Sequence, residues 1–153
     1  MDQQIAGLFI KGLGNPANNM ETFPLRNFTD LLRMIGKRPG FYLAPDRSGD
    51  CKSIRDLCSF INGFQAAKHL KDDTSVLNEF TIWVCHHYGV PDGARNWYGH
   101  ILERAGEDEA AAFQLFFEHF EDYLKEREKI GPGAIKARFI AMLEELHRNE
   151  KSA

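Results

Sequence analysis

The residues of this chain that could do chemistry are histidines and cysteines set near carboxylates. Cys85, His86 and His87 are consecutive, and His119 lies among Glu118, Glu121 and Asp122, with Tyr123 four residues on. Such groups serve two chemistries, zinc ligation and acid–base proton transfer. Geometry opposes ligation by the consecutive trio, because neighbours on a helix point about 100° apart and do not converge on one ion. A zinc site would need histidines at i and i+4, which the helix around the trio lacks, or distant ligands such as Cys58 and His119 brought in by packing. We read Cys85 as buried, and His86 or His87 as sitting at a helix C-terminus, where a cationic imidazole is favoured. The carboxylates around His119 read as a solvated helix surface. No serine or cysteine stands in a recognisable nucleophile setting. The expectation is therefore no catalytic residue, no metal and no cofactor. A small hydrolase or metal-dependent enzyme using His86, His87 or His119 is the alternative.

These side chains need helices to position them. The first runs from Asn27, an N-cap, to Gly36, with Phe28, Leu31, Leu32 and Ile35 on one stripe; Gly36 stops it and Pro39 prevents recovery. Residues 39 to 52 form a connector whose aromatic pair, Phe41 and Tyr42, is expected to pack inward. A second helix starts at Ser53, which has capping-box spacing with Asp56, and buries Ile54, Leu57, Phe60, Ile61 and Phe64. Gly63 in it would let another helix approach closely. A third, from Thr74 or Ser75, carries Val76, Phe80, Trp83, Val84 and Tyr88 and ends at Gly89 and Pro91.

The fourth spans Ala94 to Ala105, with Trp97, Ile101 and Leu102 inward and Gly106 as the stop. The fifth opens on Glu107, Asp108 and Glu109, carboxylates suited to the positive end of the helix dipole. Its Phe113, Phe116, Phe117 and Phe120 fall at i, i+3, i+4 and i+7, the pattern of a central core helix. A sixth follows Gly131 and Pro132, with Ile135, Phe139, Ile140, Leu143 and Leu146 on one face. Six helices, short loops and no alternating strand pattern predict an all-α, single-domain bundle or array. Residues 23–148 form the helical domain, 1–22 an N-terminal appendage (flexible, or a docked short helix using Ile5, Leu8 and Phe9), and 149–153 a frayed C-terminus.

The chain has 153 residues, 43% of them hydrophobic, including twelve Phe, four Tyr and two Trp, enough for a core without staples. A net charge of −3 argues against a general electrostatic grip on nucleic acid. Three scattered cysteines (Cys51, Cys58 and Cys85) suit a reducing compartment. The early apolar stretch Ile5 to Ile10 is too short for a signal-peptide core or a membrane span. A cytoplasmic protein without a membrane partner is expected.

Two sequence patterns invite comparison. Gly12-Leu13-Gly14-Asn15-Pro16 resembles the opening signature of peptidyl-tRNA hydrolases, but the helical body supplies none of that family's strand or histidine context, so we read it as coincidence. The second is Arg38-Pro39-Gly40-Phe41-Tyr42-Leu43 followed by Ser53-Ile54-Arg55-Asp56-Leu57-Cys58-Ser59-Phe60-Ile61-Asn62-Gly63-Phe64. With Phe80, Trp83, Trp97, Ile101, Gly106, Asp108, Glu109, Phe113, Phe116 and Phe117, it resembles a set of small all-helical bacterial proteins, some of them immunity proteins that neutralise contact-delivered or polymorphic toxins. The shared pattern is Arg-Pro-x-x-Tyr-Leu, then Ser-Ile-x-x-Leu-x-x-Phe-x-x-Gly, over about residues 23 to 124. This chain departs from it at Ala44 and in the longer gap from Pro45 to Lys52, which reads as a private recognition loop.

The resemblance implies a protein that binds a cognate toxin domain, often a nuclease, and blocks it by steric occlusion and charge complementarity, with no chemistry of its own. Asp46, Asp50, Asp108, Glu118, Glu121 and Asp122 are the expected contacts, as an acidic patch facing a basic partner; ordinary solvation is the competing reading. A self-associating structural or regulatory protein is the remaining alternative. Oligomeric state, toxin identity and binding face are open at this point.

Overall fold

A computed structural model describes residues 27–45, 49–67, 75–91 and 95–151. Asp46, the appendage 1–22 with its Gly12–Pro16 segment, and Ala94 lie outside these. Among the described residues there are six α-helices and no strand, so the fold is all-α.

The first helix, α1 (Phe28–Lys37), begins where the Asn27 side chain accepts a 2.9 Å hydrogen bond from the Asp30 N–H. Its buried stripe is Phe28, Leu31, Leu32 and Ile35, as the spacing requires. Gly36 does not stop it. The helix continues through Lys37, and a Cβ on Gly36 would stand 2.9 Å from the ring of Phe117. Gly36 thus allows a close approach of helices, the role the sequence assigns to Gly63. Gly63 is exposed, with nothing within 4 Å of its would-be Cβ.

A 3-10 turn, Pro39–Phe41, leads to α2 (Ile54–Ala67). The Ser53 hydroxyl oxygen accepts from the Asp56 N–H at 3.2 Å, so Ser53 caps this helix as expected. The carboxylate that completes the cap is Glu109, 56 residues away. Its Oε2 accepts from the Ser53 hydroxyl at 3.1 Å and from the Arg55 N–H at 3.0 Å. Ile54, Leu57 and Ile61 are fully buried on α2.

Helix α3 (Ser75–Tyr88) buries Leu77, Phe80, Trp83, Val84 and Cys85. It closes in a Schellman turn: Gly89 has φ +67, its N–H donates to His86 O, and Val90 N–H donates to Cys85 O. Helix α4 (Trp97–Arg104) is shorter than the Ala94–Ala105 span read from sequence, because Asn96 caps its start by accepting from Gly99 N–H. It ends in a second Schellman turn, at Gly106 (φ +68), with Glu107 N–H donating to Leu102 O.

Helix α5 (Glu109–Ile130) is the axis of the fold, with Asp108 as its N-cap. It packs against all five other α-helices through Ala112, Phe113, Phe116, Phe120 and Tyr123. Helix α6 (Pro132–Glu150) lies mainly on α3 and extends into the stretch expected to fray. Of its expected stripe, only Ile135 and Phe139 are buried, and Ile140 is 46% exposed.

Polar groups stitch α3, α5 and α6 at the margin of the core. The buried Tyr123 hydroxyl lies 2.8 Å from Glu79 Oε1 and 3.2 Å from Val76 O, and Arg127 Nε donates to the same Glu79 oxygen at 2.7 Å. Burial, then the carboxylate, push the Tyr123 phenol up well beyond its usual range. Trp83 Nε1 donates to Glu126 Oε2 at 2.7 Å, and Arg138 pairs with the other Glu126 oxygen.

Candidate functional site

Two places in this frame bring chemically capable residues together. The first is where the end of α3 meets α4 and α5. His87 stacks on Trp83, with ring centroids 4.8 Å apart and planes 9° from parallel. His119 meets both edge-on, at 5.0 Å from His87 and 5.7 Å from Trp83. Its Nε2 shares a 2.7 Å hydrogen bond with the Tyr88 hydroxyl, and the Arg104 guanidinium lies 5.4 Å from the Tyr88 ring centre. Burial raises the Tyr88 phenol to about 12. Burial and then His87 push His119 below its ordinary value, against the opposite pull of Asp122 and Glu118.

The sequence pairs His119 with carboxylates and Tyr123; the structure gives it Tyr88, and gives Tyr123 to Glu79. Only i+4 spacing pointed to Tyr123, and a phenol 31 residues away is invisible to local spacing. The result is a neutral imidazole and a protonated phenol in a half-buried ring cluster. Cys85 is buried with its side chain in the core, and His86 is absent from the cluster's ring contacts. Among the described residues, no three metal-ligating side chains converge. The vertex therefore offers a hydrogen-bonded pair, the His119 imidazole and the Tyr88 phenol.

The second place is a groove between α1 and α5 of about 570 Å³. Phe113 and Phe117 contribute its mainly apolar floor, Gly36 brings the two helices together, and Arg33, Lys37, Lys52, Gln114, Glu118 and Glu121 form the rim. One wall is a two-pronged pair: Arg33 Nε and Nη2 donate to the two Glu121 oxygens at 2.7 and 2.9 Å. That pairing holds the Glu121 carboxyl below its usual range.

Of the expected acidic contacts among the described residues, only Glu118 and Glu121 line this groove, together with three cations. Glu118 accepts from the Gln114 amide at 3.0 Å, and Asp122 pairs with Lys125 at 3.1 Å. Asp108 sits ten residues before Glu118, about 15 Å along the helix at 1.5 Å per residue, and caps α5 by accepting from the Ala110 and Ala111 N–H groups at 2.9 Å. Asp50 accepts from the Lys52 N–H at 3.2 Å. Of the described members, Glu121 and Asp122 thus pair with Arg33 and Lys125, Glu118 shares the groove with three cations, and Asp50 and Asp108 accept from backbone N–H groups.

Sequence reasoning missed Phe41. Tyr42 packs inward, edge-on to Phe60 at 6.2 Å, whereas Phe41 is 80% exposed. Successive residues of a 3-10 turn rotate by about 120°, so these two neighbours cannot both face the core. The Pro-Gly step before them was the signal for such a turn.

Comparison with family models, with curated proteins and with solved structures gives no match.

Proposed function

We propose that this chain is a binding protein of the immunity type, which sits on a cognate bacterial toxin domain in the cytoplasm and blocks it by occlusion, without chemistry of its own. The α1–α5 groove carries this reading. It is concave, its floor is aromatic, and its rim presents charges of both signs, all but Lys52 on α1 and α5. Helix-borne surfaces keep their shape when free, which lowers the ordering cost of association. A rim of mixed sign favours one partner and repels others more than it adds raw affinity. The resemblance across residues 23 to 124 points the same way, since the positions that carry it (Tyr42, Leu43, Ile54, Leu57 and Phe116 among them) pack the core and leave the surface to vary with the partner.

The test is protection of cells that express the toxin domain with which this chain co-purifies. Co-expression should restore growth, and the complex should purify intact. Gln114→Arg with Glu118→Arg, two exposed changes that crowd the groove, should abolish both without lowering the melting temperature. Growth that stays arrested in the presence of the unaltered chain would sink the reading.

A further inference from the structure

Phe41 is the most exposed large apolar side chain among the described residues, and Ile140 the next. The turn beneath it is well held. Phe41 N–H donates to Arg38 O at 3.2 Å, and the Tyr42 and Leu43 N–H groups donate to Pro39 O at 2.9 and 2.8 Å. Tyr42 and the buried Leu43 anchor the turn to the core, and a Cβ on Gly40 would touch Cys51 Sγ at 3.4 Å. The ring is therefore presented to water from a fixed backbone. An aromatic side chain held in this way loses little conformational freedom when a partner covers it.

Two cations lie close to this turn in the chain or through Cys51. Arg38 opens the turn and is exposed. Lys52 follows Cys51, which lies against Gly40, and Lys52 also lines the α1–α5 groove.

We propose that Phe41 is the anchor of a protein interface and inserts into an apolar pocket whose rim carries carboxylates that pair with Arg38 and Lys52. Aromatic anchors in dry pockets, ringed by polar contacts, carry most of the binding energy at such interfaces. A membrane is the other surface that takes an aromatic among cations. The observations favour protein, because the adjoining groove is concave and mixes Glu118 and Glu121 with cations, a pattern that suits a partner of mixed charge better than a uniformly anionic bilayer. The proposal rests on the reading that the chain works by binding another protein, though not on that protein being a toxin.

The experiment replaces Phe41, and separately Ile140 as a control, with the photocrosslinker p-benzoylphenylalanine in the cells that make this chain. The protein joined at position 41 is then purified and titrated with the unmodified chain. The expected result is an adduct from position 41 and none from 140. Phe41→Ala should then weaken binding at least about tenfold, a typical loss at an interface anchor, with an unchanged melting curve. Arg38→Glu with Lys52→Glu should weaken it more at low salt than at high salt.

No adduct from position 41, an adduct within the chain or to a second copy, or an affinity indifferent to Phe41→Ala would overturn the proposal. So would Phe41-dependent binding to phosphatidylserine–phosphatidylcholine vesicles. A partner held through Phe41 that is not a toxin would remove the immunity reading and support the anchor. A toxin bound equally well by Phe41→Ala would do the reverse.

Discussion

At His119, burial is the largest influence on one proton and opposes it, as do His87 and Arg104, while Asp122 and Glu118 favour it. The folded chain therefore binds this proton less readily than the unfolded chain, whose imidazole has the ordinary value of 6.5. Above that pH both states are neutral here and the full stability is present. As the pH falls through 6.5, the unfolded state takes up the proton first and stability declines until the lower folded value is passed. Urea denaturation should show a fall beginning near pH 6.5 that His119→Gln largely removes. Glu121 also titrates low when folded, but its stability is lost in a separate window below its ordinary 4.5. A decline equally steep in His119→Gln would show that other groups cause the first loss.

Gly36 makes a second residue-scale prediction. Alanine there improves helix propensity by about 1 kcal/mol, but overpacking against Phe117 costs about 1–3 kcal/mol. The net expectation for Gly36→Ala is a loss of about 1 kcal/mol, measured by urea unfolding. Gly63→Ala, where nothing opposes the new methyl, should stabilise.

Among the elements, helix ends show what local sequence reveals and what it hides. The Asn27 and Ser53 caps, the Gly89 and Gly106 stops and the acidic start of α5 were legible, because a cap depends on residues within one turn of the helix end. That Glu109 finishes the cap of α2 was not, since the contact depends on how α5 crosses α2. Asp108 and Glu109 both read as dipole partners, and only tertiary structure separates a local cap from a distant one. Glu109→Ala should cost about 1 kcal/mol, a typical capping loss, by thermal melt and with early hydrogen exchange at residues 55–57. Glu121→Gln should cost much less, although its pair with Arg33 is two-pronged, because both side chains are nearly half exposed (46% and 40%) and water screens them.

For the molecule as a whole, the six helices and most core stripes followed from periodicity, and the all-α fold with them. Surface features did not. The apolar face of α6 reads the same whether a neighbour covers it or not, and the Phe41 ring and the α1–α5 groove depend on the relative placement of segments far apart in the chain. The core itself is continuous. The ring of Phe80 lies within 6.4 Å, centre to centre, of Trp83, Trp97, Phe116, Phe120 and Tyr123, and so joins α4 and α5 to α3. Phe80→Ala should cost about 3–5 kcal/mol, a large part of the roughly 5–15 kcal/mol that holds a domain folded. Fluorescence and circular dichroism should shift together in one transition; separate transitions would mean that α6 or α1 unfolds independently.

A partner-blocking role has a stoichiometric signature at this scale, because a protein that works by occlusion is used up one for one. The most direct measurement is a titration of the purified toxin domain's activity with this chain. Occlusion predicts a linear fall to zero at one chain per toxin, with activity recovered when the complex is dissociated. Lasting inactivation by far less than one equivalent would mean turnover, and would contradict a binding protein with no chemistry of its own.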